Sequence, residues 1–296
     1  VARFDGRTFE TFTVQEGLPD NTVISLHEDQ SGTLWFGTQG GLARYDGTFI
    51  QAFTTEDGLP HNHVHTITEG ESGRLWFGTP EGVFTYADST FRPVAPDRIQ
   101  ESYQQSLVAQ EDTLWVGSED RLYKYADTTL TSYGAEEGLG VRVVTSLSVG
   151  EEDRLWVGTE QGVFHRDGPR QFNRLAGTDS LVVYDLFDAS GGQLWVGTIS
   201  GLYRHEEGQA QLFSSQLADQ MINRIMRDRE GNFWFGTGGE GLYKYTPTPF
   251  DHFTTEEGLA GNLVWDVAEG PEGDLWVATR EGVSRYNGTS FTQVPG

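Results

Sequence analysis

Tyr184-Asp185, Asn223-Arg224 and Trp265-Asp266 fall at one register of a repeating chain, and they bring together side chains that can bind a polar small molecule. Tyr184 and Trp265 offer flat faces for stacking, Asp185 and Asp266 accept hydrogen bonds from hydroxyls, and Arg224 can fork onto a carboxylate. Asn223 adds an amide, and Arg142 and His65 stand at the start of the corresponding strands in other copies, so all eight residues form the candidate ligand site. A plainer reading is open beside it: Arg224 neutralises Asp185 and Asp266 in a narrow channel while the aromatics fill it, because buried charges need partners.

Other patterns carry less chemistry. His61, His63 and His65 alternate, which on a strand puts them on one face at about 7 Å spacing, long for one ion, and a structural role is preferred. Gly236 to Gly241 spells G-x-G-x-x-G but sits in a turn with no helix to follow, so it is no dinucleotide fingerprint. The acidic turns Glu56-Asp57, Glu136-Glu137 and Glu256-Glu257 read as solvated turns rather than calcium loops. No catalytic residue, metal ligand set or cofactor is assigned. The chain has no Cys, which excludes disulfides, thiol nucleophiles and Cys-based metal centres.

The elements that must position these residues follow from a period. Leu34-Trp35-Phe36-Gly37-Thr38 recurs around Trp76, Trp115, Trp156, Trp195, Trp234 and Trp276, at spacings of 41, 39, 41, 39, 39 and 42 residues. An alternating apolar run precedes each phrase, and a Gly-apolar, Tyr- or Phe-containing run with a further short segment follows it. That is four short strands per copy. Thirty-eight glycines supply the turns, and no copy shows a helical apolar stripe. A period near 40 with four strands predicts an all-β, seven-bladed β-propeller with four antiparallel strands per blade. The Trp of each second strand is expected between neighbouring sheets, which leaves Trp265 as the one tryptophan outside the repeat.

The Leu-Trp-Phe-Gly-Thr phrase, Gly41-Leu42-Ala43-Arg44-Tyr45-Asp46 and Gly58-Leu59-Pro60-His61-Asn62 resemble the repeats of two-component regulator propellers. Gly17-Leu18-Pro19-Asp20-Asn21 repeats the turn, and Gly258-Leu259-Ala260-Gly261-Asn262 is a looser copy. The resemblance spans nearly the whole chain. It implies a non-catalytic, periplasmic or extracellular sensor that reads a ligand, often of carbohydrate type, and signals through a membrane helix; neither that helix nor a kinase is part of this sequence. Two alternatives stand beside it, a lyase similar to virginiamycin B lyase, for which no motif residue maps here, and a protein-interaction scaffold.

Charge narrows the partners. With 20 Lys and Arg against 44 Asp and Glu the net charge is −24, and no basic cluster offsets it, so nucleic acid is excluded as a partner. Apolar runs of four or five residues cannot insert in a membrane. Only Lys124 and Lys244 are lysines, a balance that suits either a halophilic source or an acidic secreted domain from an Arg-favouring genome.

The ends hold a surplus. Residues 1–296 are expected to form a single propeller domain, with the seven Trp-centred repeats in 15–296. Residues 1–14 match the third and fourth strands of a blade, yet the last copy already owns such a pair. One outer pair is expected to complete the last blade, and the other to be displaced or to pair with a second molecule in a strand-exchanged dimer.

Overall fold

The computed structural model describes residues 2–4, 9–11, 13–95, 99, 106–140, 143–189, 192–206, 208–228, 230–246, 251–270 and 273–293. Seven four-stranded antiparallel sheets follow one another as simple meanders, each with its strands in chain order, and they make the protein a seven-bladed propeller. Two compact units divide the described residues. One is Val1–Ile67, Tyr86–Arg92 and Met226–Gly296, and holds the first and seventh blades whole; the other is Thr68–Thr85 and Pro93–Ile225, and holds the third to fifth.

The Trp phrase explains itself residue by residue. Its strand is wholly buried, as in Leu34–Thr38, Leu155–Thr159 and Leu194–Thr198. The Trp packs into the following blade: Trp115 joins Val144, Leu147 and Val157; Trp156 joins Val183, Leu186 and Val196; Trp234 joins Val264, Val267 and Val277. The Gly lets that blade approach, since a Cβ at Gly37 would meet Val64 O at 2.6 Å and one at Gly197 would meet Ile222 O at 2.8 Å. The closing Thr, or Ser118 in the third blade, donates its hydroxyl at 2.7–3.1 Å to a carbonyl opening the third strand in all seven copies.

Cations cover the Trp rings. Lys124, Arg204, Lys244 and Arg285 pair across strands with Trp115, Trp195, Trp234 and Trp276, and stand 5.0–5.8 Å from those rings. Both lysines of the chain are therefore used alike. In the fourth blade His165 takes the place opposite Trp156, and Arg154, just before the second strand, supplies the cation at 5.7 Å.

At the ends, Gly282–Tyr286 and Phe291–Gln293 complete the seventh sheet. Ala2–Phe4 and Phe9–Thr11 pair with each other in a separate two-stranded sheet, and Ala2–Phe4 lies against the third strand of the seventh blade.

Candidate functional site

The inner strand of each blade opens with the residues singled out from the sequence. In the fifth blade it is Val183–Asp188, paired with Leu194–Thr198, and the register slips between Val183 and Asp185. The same bulge falls between Val264 and Asp266, between Val23 and Ser25, and between Val144 and Ser146. Tyr184 and Trp265 are the extra residues of their bulges, and a bulge re-aims the side chain it carries. Both rings point outward, Tyr184 38% and Trp265 39% exposed, where a core-facing strand position would bury them.

The next residue turns inward. Asp185 is buried, and its Oδ2 accepts the backbone N–H of Ile225 at 2.7 Å, while its Oδ1 accepts the Ser146 hydroxyl at 3.2 Å. Ser146 in turn accepts the N–H of Leu186 at 3.1 Å. In the other unit buried Asp266 repeats the device: Oδ2 takes the N–H of Leu26 at 2.9 Å, and Oδ1 takes the N–H of Val267 at 2.9 Å. Ser146, Asp185 and Asp266 thus each tie their inner strand to the next, while Leu107 and Arg224 hold the same register in the third and sixth blades. The sequence candidates include Asp185 and Asp266 but not Ser146, although Ser and Asp at one register of neighbouring copies signal a shared acceptor role.

Arg224 lies beside this latch, its Nη1 3.9 Å from Asp185 Oδ1 with 45% of the side chain exposed. Burial pushes the Asp185 pKa up, and Arg224, the Ile225 and Leu186 amides and Ser146 oppose that rise. Asn223 is half-buried on the same strand. The second unit thus brings Tyr184, Asp185, Asn223 and Arg224 onto adjacent inner strands, and the first unit carries His65, Trp265 and Asp266. Arg142 lies outside the described residues.

His65 is half-buried, its Nε2 is enclosed without a hydrogen-bond partner, and its ring meets that of His63 edge-on at 5.7 Å. Burial, then the His63 and His61 charges, lower its pKa to about 4. Among the described residues no group of three His, Cys, Asp or Glu is placed to hold a metal ion, and no helix is long and apolar enough to cross a membrane.

The acidic turns have a local task. Thr13, Thr54 and Thr254 cap short turns, and Glu16, Asp57 and Glu257 reach back to the cap N–H at 2.7–2.9 Å. Asn21, Asn62 and Asn262 accept the next N–H at 2.8–3.1 Å. The Gly-Leu-x-x-Asn turn is thereby a closed hydrogen-bond cycle, and Asn62 is committed to it.

Comparison with known proteins accords with this architecture. The two component regulator propeller model matches residues 17–40, 58–81, 216–239 and 258–281. The extracellular domain of BT4673 from B. thetaiotaomicron, assigned as a one component system, is 25% identical with a TM-score of 0.78, over 90% of this chain and 38% of that one. The extracellular domain of BT3049 from the same organism, assigned as a hybrid two component system, is 19% identical with a TM-score of 0.79, over 95% and 42%. This chain therefore spans well under half of either relative. Virginiamycin B lyase from Staphylococcus aureus, in a form with Quinupristin, reaches a TM-score of 0.75 at 12% identity, over 93% and 97%, and shares the fold alone. No curated protein matches the sequence. The first, second, sixth and seventh blades carry the two component regulator propeller repeat, the family that the Trp phrase and the Gly-Leu-Pro-x-Asn turn resemble.

Proposed function

We propose that this propeller is the non-catalytic reading part of a sensor that works outside the cytoplasm, and that it binds a polar small molecule of carbohydrate type at its inner-strand bulges. The observation that carries the reading is the division of labour at the bulges of the fifth and seventh blades: Asp185 and Asp266 hold neighbouring strands together while the residue before each, Tyr184 or Trp265, is a large exposed aromatic. Exposed Tyr and Trp beside polar groups suit the alternating apolar faces and hydroxyls of a sugar. In the second unit Tyr184 supplies the stacking face, Asn223 an amide, and Arg224 a cation for a ligand carboxylate; Asp185 holds Arg224 and the strands in place rather than meeting the ligand. In the first unit Trp265 is the stacking face, with Asp266 in the corresponding holding role. The likeness to extracellular sensor domains supports the location.

The test is a thermal-shift screen of the chain against neutral sugars, oligosaccharides and uronic acids, at low and multimolar salt. A ligand at a hundredfold excess over its Kd should add about 2.7 kcal/mol of stability. Tyr184→Ala, Arg224→Ala and Trp265→Ala, each folded with a near-unchanged melting point without ligand, should show which face binds. A saturable shift lost in none of the three would overturn the site, and no shift with any of these compounds would overturn the ligand class and favour a scaffold for protein.

A further inference from the structure

At the turns of the fourth blade, in the second unit, lies an open cleft lined by Glu152, Asp153, Arg154, Arg166, Gly168 and Pro169. Its two guanidinium groups rest on tryptophan faces, as Arg74 does on Trp76 at 6.0 Å in the second blade. Among the described residues at least seven other arginines lie within 4 Å of a carboxylate. Arg154 and Arg166 have none among the described residues and are held instead by tryptophan faces: Arg154 stands 5.7 Å from the Trp156 ring and Arg166 5.3 Å from that of Trp115. A stacked guanidinium uses its π face and keeps its in-plane N–H groups for other partners. Arg154 is exposed, and its side chain makes no hydrogen bond to a described residue; Arg166 gives Nη2 to Pro169 O at 3.3 Å, and its Nε is enclosed without an acceptor.

The turn that presents Arg154 is also unlike its counterparts. Gly32, Gly73, Gly192, Gly231 and Gly273 take a left-handed backbone at this turn in other blades, with φ between 76° and 89°. Here the place is taken by Asp153 at φ 58°, preceded by Glu152 at 57°. Gln110 of the third blade donates to Asp153 O at 3.1 Å and ties the turn to that blade.

We infer that this cleft is an oxyanion site, in which Arg154 and Arg166 bind the sulfate, phosphate or carboxylate group of a ligand through the N–H edges that their tryptophans leave open. Two forked cations facing one cleft match an oxyanion's several acceptors. Glu152 and Asp153 on the rim work against binding and set it below what the two arginines alone would give. The site is separate from the inner-strand bulges and does not depend on the reading proposed for them.

Calorimetric titration of the whole chain with inorganic sulfate, inorganic phosphate and glucuronate, at constant ionic strength, tests it. Saturable binding of at least one is expected, weakened about tenfold or more by Arg154→Gln and lost in Arg154→Gln/Arg166→Gln. Glu152→Gln/Asp153→Asn should tighten it severalfold. Arg154 is exposed, so its variant should melt with wild type, and it carries the test if the Arg166 variant fails to fold. Binding of the two tetrahedral ions alone, or of glucuronate alone, identifies the group recognised. Tyr184→Ala should leave the titration unchanged, which keeps this outcome apart from that of the inner-strand site. No saturable heat with any of the three ions, or binding that survives Arg154→Gln, would overturn the proposal.

Discussion

Asp185 Oδ2 accepts the backbone N–H of Ile225 at 2.7 Å, so that a carboxylate on one inner strand satisfies a main-chain donor on the next. A buried N–H left without an acceptor costs about 1–3 kcal/mol, and removing a buried carboxylate also strands the groups around it. Asp185→Ala should therefore lower stability by about 2–3 kcal/mol in chemical denaturation. Asp185→Ser, which mimics Ser146, should recover part of that loss. Equal loss in both variants would show that a short acceptor is not what the position requires.

Four histidines set a pH dependence. Burial is the first cause that lowers the pKa of His63, His65, His165 and His205, and for His65 it reaches about 4. A histidine held neutral in the fold is protonated first in the unfolded chain. Its contribution is therefore whole above the unfolded value near 6.5 and is lost as pH falls toward the folded value. Stability should decline between about pH 6.5 and 4, with His65 accounting for on the order of 2–3 kcal/mol. The decline should shrink in His65→Asn, and an unchanged slope in that variant would remove His65 from the account.

Acid acts on the capped turns in the same direction. The Thr13 and Thr254 hydroxyls and cap N–H groups hold Glu16 and Glu257 below the usual carboxylate range, so their contribution stands above the ordinary value and is lost as pH falls through the lowered one. Thr254→Ala should cost about 1 kcal/mol in thermal melts at neutral pH, and less in acid where the Glu257 carboxylate is protonated. A cost that stays constant with pH would mean the hydroxyl acts without the carboxylate.

The blades were legible because every copy states the same pattern: Trp35 to Trp276 recur at one register, and each residue of the phrase has a fixed contact to satisfy. The latch was not legible in the same way. Val183, Asp185 and Leu186 are buried while Tyr184 is exposed, and this order comes from a register slip that a hydrophobic pattern does not record. Tyr184 and Trp265 stand out in the sequence as aromatics at a register that holds Ile24, Ser106 and Thr145 in other copies, whereas the inward turn of Asp185 and Asp266 depends on an N–H in the neighbouring strand. Arg154 gave no sign from sequence, since its meaning rests on His165 standing where other blades carry a permanent cation.

Gly37 tests how closely neighbouring strands pack. A Cβ there would meet the Val64 carbonyl oxygen at 2.6 Å as well as the Ser25 hydroxyl, and a backbone oxygen cannot swing aside. Gly37→Ala should cost about 1–3 kcal/mol through overpacking, read as a lower denaturation midpoint. Ala278 holds the same place in the seventh blade, wholly buried against Val23 and Leu26. Ala278→Gly should also destabilise, by about 1 kcal/mol, from lost packing and added backbone freedom. If both substitutions proved neutral, the spacing of these strands would not be what selects the residue.

Asp153 offers the opposite sign. A residue with a Cβ in the left-handed region costs about 1–2 kcal/mol relative to glycine, and five other blades place glycine at this point of the turn. Asp153→Gly should raise the melting temperature by a few degrees, through about 1 kcal/mol of relieved strain partly offset by the greater freedom of the unfolded chain. It also removes a carboxylate from the rim of the cleft, so anion binding should tighten in the same variant. A gain in stability without tighter binding would separate the strain from the electrostatics, and a loss of stability would show that the Asp153 side chain supports the turn it strains.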